Sequence, residues 1–351
     1  MSQLASGAAV LAAFDPPYWL ETAIKALVVA VLIPTTALIL GIVFLFKVMS
    51  WMQSRLGPQE AGPRGLLQLL ADGGKFLQKE DIIPASADRF VFKAAPFVVL
   101  ASTFLTYVVI PASMNLVVED LDVGIFYVFA VSSLSVIGVL MAGWASANKY
   151  SLVGGLRAAG QLIAYELPMI LAVVGVVIQA GTLNLNGIVV AQNSGEILGW
   201  GGIGLPFILT QFIGFGIFLA AVQAELTQTP FDMPVAESEI VSGYQVEYSG
   251  FRFLTFFLGE FATAFAFAAI AAVLFLGGWA VPWLEADSDW YWVLGPVVLF
   301  AKIMLVSFLI FWLRFTYPRL REDQLQTFAW KFLIPLSLVN ILATGVLKVV
   351  L

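Results

Sequence analysis

Hydrophobic residues occur along this chain in eight long stretches, separated by polar segments. Each stretch has about 20 residues or more, which is enough for a helix to cross a hydrocarbon core of about 30 Å. The stretches are too long and too uniformly apolar for barrel strands, and a helix satisfies its own backbone polar groups in lipid. The predicted spans are 22–50, 91–114, 123–146, 155–180, 202–225, 251–279, 291–315 and 326–350. The pattern predicts an all-α polytopic membrane protein, with residues 1–351 as a single integral-membrane domain.

The polar segments alternate in the sign of their charge. Segments after the odd-numbered spans carry cations: Arg55, Arg64, Lys75, Lys79, Arg89, Lys149, Arg157, Arg252, Arg319 and Arg321. Segments after spans 2, 4 and 6 lack Lys and Arg and carry acids: Glu119, Asp120, Asp122, Glu196, Glu285, Asp287 and Asp289. Because Lys and Arg concentrate in cytoplasmic loops, this predicts that the odd segments are cytoplasmic and that both termini lie on the outer, periplasmic side.

Two predicted cytoplasmic segments, 51–90 and 226–250, are unusually long. The first contains apolar positions that share one helical face: Leu66, Leu69, Leu70 and Phe76. Such a helix can lie in the membrane interface or pack on another cytoplasmic protein, and both could hold. The second is polar and rich in proline, and a loop of this length is usually functional.

Composition supports this assignment and limits the chemistry. The chain is 60% hydrophobic and 11% charged, with mean hydropathy +0.94 and net charge −6. It contains neither Cys nor His, so it lacks thiolate and imidazole ligands for metals or iron–sulfur clusters. The first 20 residues contain no Lys or Arg, unlike a cleavable signal peptide. We find no nucleotide-binding fingerprint and no large basic surface for nucleic acid.

Residues 225–260 are the chemically unusual part of the chain. They hold six carboxylates and only one cation, Arg252, although apolar spans flank them. The acids are Glu225, Asp232, Glu237, Glu239, Glu247 and Glu260. Like charges at this density favour protonation of some members, so the set could relay protons. A solvated acidic loop, or a docking patch for a basic partner, is the alternative, but Glu225 and Glu260 lie inside apolar spans.

Two further charged residues lie within apolar spans. Glu166 precedes Pro168, which frees a backbone carbonyl nearby, so this acid could relay protons or pair with a neighbouring helix. Arg157 is out of phase with it and could pair only loosely. Lys302 lies too deep to reach the interface, so we expect an acidic partner, Glu260 or Glu166. We interpret the cations at Lys149 and from Arg314 to Arg321 as residues that set the topology.

Several motifs together resemble the H subunit of respiratory complex I, the proton-translocating NADH:quinone oxidoreductase. The main ones are Thr229-Pro-Phe-Asp232, Ala236-Glu-Ser-Glu239, Val241-Ser-Gly243 and Glu247-Tyr-Ser-Gly250. Others are Arg55-Leu-Gly-Pro58, Ala71-Asp72, Gly143-Trp-Ala-Ser146, Lys149-Tyr-Ser-Leu152, Tyr165-Glu166 and Pro318-Arg-Leu-Arg321. The resemblance covers about residues 20–350, in order.

This resemblance implies an eight-helix subunit of the cell inner membrane that carries no redox centre or covalent cofactor. With two peripheral-arm subunits it would form the quinone tunnel, while NAD, FMN and iron–sulfur clusters belong to partner subunits. Lipids and small membrane subunits are the other implied partners. The implied coupling path comprises Glu166, Glu225 and Glu260 in the membrane and Asp72, Asp232, Glu237, Glu239 and Glu247 near the cavity. The implied tunnel region comprises Arg55, Gly57, Pro58, Phe231 and Arg252.

The chain also departs from the family pattern near the expected quinone entrance. Charged residues usual in the family are replaced at Leu45, Trp51, Glu60, Gln228 and Val235. These changes leave the quinone type open. Two alternative functions also remain at this point: the equivalent subunit of a ferredoxin-, deazaflavin- or hydrogenase-linked complex, and a free-standing ion transporter that uses the same acids.

Overall fold

The computed structural model describes residues 18–195, 204–281, 284 and 290–350. Its described residues form helices and irregular segments without strands. Glu196, Glu285, Asp287, Asp289 and the N-terminal 17 residues lie outside this range, so their predicted placement stays a prediction.

Seven helices in the described part of the chain are long and apolar enough to cross a membrane. They are α1 (Trp19–Met52), α3 (Arg89–Tyr107), α4 (Gly124–Ala145), α5 (Lys149–Ala180), α8 (Gly250–Phe275), α9 (Tyr291–Thr316) and α10 (Glu322–Val349). Shorter helices are α2 (Gln68–Gln78), α6 (Leu185–Asn193) and α7 (Phe212–Glu225). The all-helical, multi-pass prediction is therefore confirmed.

The predicted fifth span, 202–225, differs from the structure. Its helix α7 has 14 residues, roughly 21 Å at 1.5 Å per residue, which is shorter than a hydrocarbon core. Gln211, at the N-terminal end of the helix, belongs to a buried polar cluster. Its Nε2 donates to Thr344 Oγ1 at 2.7 Å, and its Oε1 accepts from Asn340 Nδ2 at 2.9 Å.

Polar side chains define several helix starts. Asp88 caps α3 by accepting from the backbone N–H groups of Phe90 and Val91 at 3.1 and 3.2 Å. Asn148 caps α5 in the same way through Tyr150 N at 2.8 Å. These contacts satisfy backbone donors that have no partner within the helix.

Helix α8 lies at the centre of the bundle. In its most apolar stretch 78% of the residues are buried, a larger share than in any other described long helix. It packs against α1, α3 and α9. Helices α4 and α5 approach each other at two glycines, where a Cβ on Gly143 would lie 2.9 Å from Gly155 Cα. Small residues of this kind allow close helix packing in membranes.

The predicted cytoplasmic segments meet at one end of the bundle. Arg252 binds Asp81 at 2.8 Å, which joins the start of α8 to segment 51–90. Asn148 Nδ2 donates to Glu247 at 2.6 Å, and Arg319 binds Asp232, so the other two cationic segments contact 226–250. This common end agrees with the alternating charges. Which side of the membrane it faces stays a prediction.

Candidate functional site

The segment 226–250 is folded onto helix α5 instead of extending into solvent. Gln161 on α5 donates from Nε2 to the carbonyls of Ala224 and Phe231 at 2.8 and 2.6 Å. Backbones also meet at two glycines, since a Cβ on Gly154 would lie 2.6 Å from Gly243 Cα. These contacts hold the acidic segment against the end of the helix bundle.

Glu225 and Glu260 are brought together beneath this segment. Glu225 ends α7, Glu260 lies on α8, and both line one cavity of about 70 Å³. Their partners differ: Glu260 Oε1 accepts from Arg314 Nη1 at 3.2 Å and from Gln228 Nε2 at 3.3 Å. Glu225 Oε2 is buried and has no hydrogen-bond partner among the described residues. Glu260 is therefore neutralised by a cation, whereas Glu225 has a buried oxygen that can still accept a hydrogen bond.

Glu166 lies close to this pair. It is half-buried on α5, and its charge interacts with that of Glu225. Arg157, the only nearby cation on the same helix, turns away to Glu239 at 2.7 Å and Glu322 at 3.7 Å. The three intramembrane acids selected from the sequence thus occupy one region, where α5, α7 and α8 meet.

The acids of the loop are mostly paired individually. Arg319 forms a two-pronged pair with Asp232, with Nε–Oδ1 and Nη2–Oδ2 distances of 2.6 and 2.7 Å. Its hydrogen bond to Asp232 raises the pKa of Arg319, so the guanidinium keeps its charge. Glu239 and Glu247 have Arg157 and Asn148 as partners, and Glu237 is exposed. Most acids of this segment therefore have a partner of their own, although the sequence suggests a cluster of uncompensated charges.

Two buried tyrosines lie within segment 226–250. Tyr244 lines the cavity with Glu225 and Glu260. Burial raises the pKa of Tyr244, and the charge of Glu260 raises it further, so the phenol keeps its proton at neutral pH. Its oxygen accepts from Gln245 Nε2 at 3.1 Å, which leaves the phenol hydrogen free to donate. Tyr248 stacks on Phe92 at 4.1 Å between ring centroids and anchors the loop.

Asp72 lies apart from these acids on helix α2. Its Oδ1 accepts from Gln68 Nε2 at 2.9 Å and pairs with Lys75 at 3.0 Å, both on the same helix. Leu69 and Phe76 of this helix face the bundle, whereas Leu70 and Leu77 are 54% and 64% exposed. The predicted amphipathic helix is therefore present, but its apolar residues are divided between two faces.

The predicted tunnel residues each have distinct local contacts. Arg55 is exposed and donates to Gln53 at 2.7 Å, while Pro58 accepts at its carbonyl from Lys47 Nζ at 2.7 Å. A Cβ on Gly57 would lie 2.4 Å from Phe46 O, so only glycine fits this turn.

The other two tunnel residues have different surroundings. Arg252 lies over the ring of Phe92 and binds Asp81. Phe231 is buried edge-on against Tyr165 at 5.2 Å and borders an apolar groove of about 690 Å³ between α7 and α9. Each of the five residues is thus positioned by its own local contacts, and their joint role in a tunnel stays a prediction.

The prediction for Lys302 is wrong. Its Nζ donates to the carbonyls of Gly278 and Ala280 at 2.7 and 3.0 Å, and neither Glu260 nor Glu166 is its partner. These carbonyls follow the C-terminal end of α8, where the helix dipole is negative and backbone acceptors lack helical partners. A helix end therefore replaces the acid that the sequence suggested.

Sequence reasoning also missed four residues that define the site: Arg314, Arg319, Gln228 and Tyr244. The two arginines were interpreted as topology-setting cations, although they bind Glu260 and Asp232. The excess of acids in 225–260 was the available signal, because buried acids require cations from elsewhere in the chain. Arg314, at the end of span 7, and Arg319, after it, were candidates, but their distance in sequence hid the pairing.

Known proteins provide an independent comparison. A family model described as NADH dehydrogenase matches residues 24–345. A curated relative from Brevibacillus brevis, named as the H subunit of NADH-quinone oxidoreductase, is 46% identical over 335 residues, covering 94% of this chain and 95% of the relative. The chain belongs to the family of NADH-quinone oxidoreductase H subunits. A relative of the same name from Anoxybacillus flavithermus is 48% identical over 310 residues, covering 88% of this chain and 88% of the relative. Another from Geobacillus kaustophilus is 45% identical over 341 residues, covering 94% of this chain and 98% of the relative.

Membership in this family gives the chain's departures a structural context. Gln228, where the resemblance leads us to expect an Arg, is buried and donates to Glu260, whose cation is Arg314. Val235, where we expect an acid, packs against the apolar cluster that contains Tyr244 and Tyr248. At both positions the neutral side chain therefore fits its surroundings, and Glu260 beside Gln228 keeps Arg314 as its cation.

Proposed function

We propose that this chain is the inner-membrane subunit of a proton-translocating NADH-quinone oxidoreductase that couples quinone reduction to proton movement. One observation carries the proposal: Glu225 and Glu260 line a single cavity directly beneath an acidic loop, with Glu166 within electrostatic reach. Acids at membrane depth are expensive to maintain and usually mark an ion or proton path. Family membership supports the assignment to this class of complex.

The coupling would begin at the loop and end in the membrane. A charge change at the quinone would alter the pairs made by Asp232, Glu239 and Glu247, while Glu237 and Asp72 would respond as more exposed acids. Gln228 lies within the loop and contacts Glu260, so it links loop movement to the cavity. A hydrogen bond to a charged group contributes about 1.5–3 kcal/mol, and a shift of one pKa unit corresponds to about 1.4 kcal/mol. Changing one such contact is therefore sufficient to move a proton.

The quinone tunnel would be completed by other subunits. Arg55, Gly57, Pro58, Phe231 and Arg252 would contribute this chain's share of its wall, together with two peripheral-arm proteins. The exposed Leu70 and Leu77 on α2 support a covering partner on that side. Quinone is the proposed substrate, NAD, FMN and iron–sulfur clusters would reside in partner subunits, and lipids would cover the outer helix faces.

Co-purification tests the assembly. A tagged chain extracted in mild detergent should bring down peripheral-arm proteins that bind flavin and NADH, together with quinone. Recovery of ferredoxin-, deazaflavin- or hydrogenase-linked proteins instead would assign the chain to a related complex. A monodisperse single chain that transports ions after reconstitution would refute the assignment to a complex.

The Glu166→Gln variant tests the coupling path. In vesicles that contain the whole complex, we expect quinone-linked proton pumping to fall while NADH oxidation by quinone continues, because the substitution removes a charge without removing volume. Glu119→Gln, on an exposed acid at the opposite end of the bundle, is the matched control and should pump normally. Normal pumping by the Glu166 variant would exclude it from the path.

A further inference from the structure

A stretch near the C-terminal end of helix α1 differs from the rest of that helix. Residues Gly41–Val48 form a π-helix, in which each backbone N–H bonds to the carbonyl five residues earlier. Such stretches within longer helices are rare and frequently lie at functional sites. Phe44 in this stretch stacks on Phe311 of α9 at 5.2 Å between ring centroids. A Cβ on Gly41 would lie 2.7 Å from Leu69 of α2, so neighbours on two sides set its orientation.

Lys47 lies in this π-helical stretch and contacts the chain that follows α1. Its Nζ donates to the carbonyl of Pro58 at 2.7 Å and to the carbonyl of Arg64. These acceptors lie 11 and 17 positions further along the chain, so one side chain closes two backbone loops against the helix. Among the described residues, the ammonium group has these carbonyls and no carboxylate as partners. Hydrogen bonds from a charged donor are stronger than neutral ones, so both contacts restrain the chain.

The backbone of segment 53–65, which leads from α1 towards α2, has a conformation that needs support. Arg64 has a φ of 52°, in the left-handed region that residues other than glycine rarely adopt. A Cβ on Gly65 would lie 2.0 Å from Pro58 O, the carbonyl that accepts from Lys47. Unfavourable backbone conformations persist only where the surrounding contacts determine them. The hydrogen bonds of Lys47 end at the two residues where this support is needed.

Burial cannot hold this segment in place. Gly65 is its one buried residue, and Leu56, its largest apolar side chain, is 79% exposed. Burial of apolar surface is the main favourable contribution to the ordering of a chain, and it is nearly absent here. Beyond residue 55, the hydrogen bonds described between this segment and α1 are the two that Lys47 donates. The position of the segment against α1 therefore depends on this side chain.

We propose that Lys47 is a positioning residue for the quinone reaction. Its two hydrogen bonds fix the shape of segment 53–65, which carries Arg55, Gly57 and Pro58. The inference rests on the proposed function, which places these three residues in the wall of the quinone tunnel. A protein whose binding-competent state is only partly populated has an apparent affinity that is reduced by that fraction. Loss of the Lys47 contacts should therefore weaken quinone binding and leave the turnover of the bound complex intact.

Substitutions of Lys47 in the whole complex test this role. Lys47→Met removes the donors, whereas Lys47→Arg keeps a cation with several donors. In membranes that contain the complex, we expect Lys47→Met to raise the apparent KM for a short-chain quinone several-fold, with little change in kcat. Lys47→Arg should restore most of the affinity. A defect of assembly alone would lower the total activity and leave the KM unchanged, so an unchanged KM in Lys47→Met would overturn the positioning role.

Two controls make the result specific to the Lys47 contacts. Reduction of ferricyanide by NADH does not require quinone, and it should be equal in all variants. Lys79→Met removes an exposed cation of segment 51–90 that has no described side-chain partner, and it should leave the KM for quinone unchanged. If both methionine variants raised the KM equally, the loss of positive charge would explain the effect, and the positioning role would be refuted.

Hydrogen exchange of the assembled complex tests the same role without depending on activity. Backbone amides of segment 53–65 should exchange faster in Lys47→Met than in the unmodified complex, and Lys47→Arg should restore their protection. If Lys47→Met does not assemble, Lys47→Gln takes its place, because its shorter side chain cannot reach both carbonyls. Unchanged protection of the segment in the variant that assembles would overturn the proposal.

The variant Gly57→Ala separates a failure of this inference from a failure of the proposed function. It disturbs the segment directly, because the added Cβ would lie 2.4 Å from Phe46 O. If Gly57→Ala raises the KM for quinone and Lys47→Met does not, Lys47 is excluded and the tunnel assignment stands. If neither variant changes the KM, the tunnel assignment fails together with the inference. We expect both variants to raise it.

Discussion

Glu225 and Glu260 line the same cavity, yet their surroundings give them different properties. Glu260 is held by Arg314 at 3.2 Å and Gln228 at 3.3 Å, and Arg314 also lies over the ring of Phe261. Glu225 has a buried oxygen without a described partner and an acidic neighbour, Glu166. An ionised carboxylate is costly at low dielectric unless it is paired. Glu260 therefore has a fixed counter-ion, whereas Glu225 has none among the described residues.

This difference suggests how the proposed proton path can combine a stable structure with an acid that changes its protonation. The paired acid is neutralised by Arg314 and ties the cavity to α9 and to the loop. The unpaired acid can exchange its proton with the cavity, because no fixed cation among the described residues competes for it.

Arg314→Gln should have the largest effect on stability. It leaves Glu260 without its cation inside the bundle, which we expect to lower the free energy of unfolding by about 3 kcal/mol. The thermal midpoint of the purified assembly measures this loss. The double variant Arg314→Gln with Glu260→Gln removes both charges and should recover much of it. If the double variant is no more stable than the single one, Arg314 acts through ring packing and not through Glu260.

Asp232→Asn should have the next largest effect, because the pair with Arg319 is outside the membrane and partly hydrated. Losing one side of this two-pronged pair should cost about 2 kcal/mol. Proteolysis or hydrogen exchange of segment 226–250 reports the change locally. Unchanged protection of this segment would mean that Arg319 does not hold the loop in place.

Gln228→Met should cost about 1 kcal/mol, since it removes one hydrogen bond to Glu260 and also one buried amide oxygen that has no described partner. Its effect on pumping should exceed its effect on stability, because Gln228 links the loop to the cavity. A variant that loses stability but pumps normally would show that this contact is only structural.

Glu119→Gln should have the smallest effect. Its pair with Lys25 is long, at 3.5 Å, and both side chains are well exposed. Exposed pairs contribute about 0.5 kcal/mol or less, so the thermal midpoint should scarcely move. A large loss would indicate that this end of the bundle is covered by protein in the assembly.

Much of the fold was predictable because lipid imposes simple rules on long apolar segments. Seven predicted spans are helices of sufficient length, and the charged segments meet at one end as their alternation suggested. Span 202–225 differs, because its helix has only 14 residues, and hydropathy does not reveal the polar contacts of Gln211 at its start. The acids of the site were also predictable, since Glu166, Glu225 and Glu260 interrupt apolar sequence.

The partners of those acids were not predictable. Arg314 lies 54 positions from Glu260, and Arg319 lies 87 positions from Asp232, so sequence spacing contains no sign of either pair. Lys302 illustrates the opposite error, because backbone carbonyls at a helix end satisfied a cation for which the sequence offered only distant acids. Pairing between helices depends on the packing of the bundle, which a hydrophobic pattern does not specify.

The most direct test is proton pumping per electron in vesicles that contain the whole complex, compared between Glu225→Gln and the unmodified protein. The glutamine keeps the volume and should leave assembly and quinone reduction intact, because Glu225 Oε2 has no described partner to lose. We predict that NADH oxidation by quinone continues while the proton gradient is nearly abolished. A gradient equal to that of the unmodified complex would contradict the claim that buried carboxylates of this chain carry the coupling.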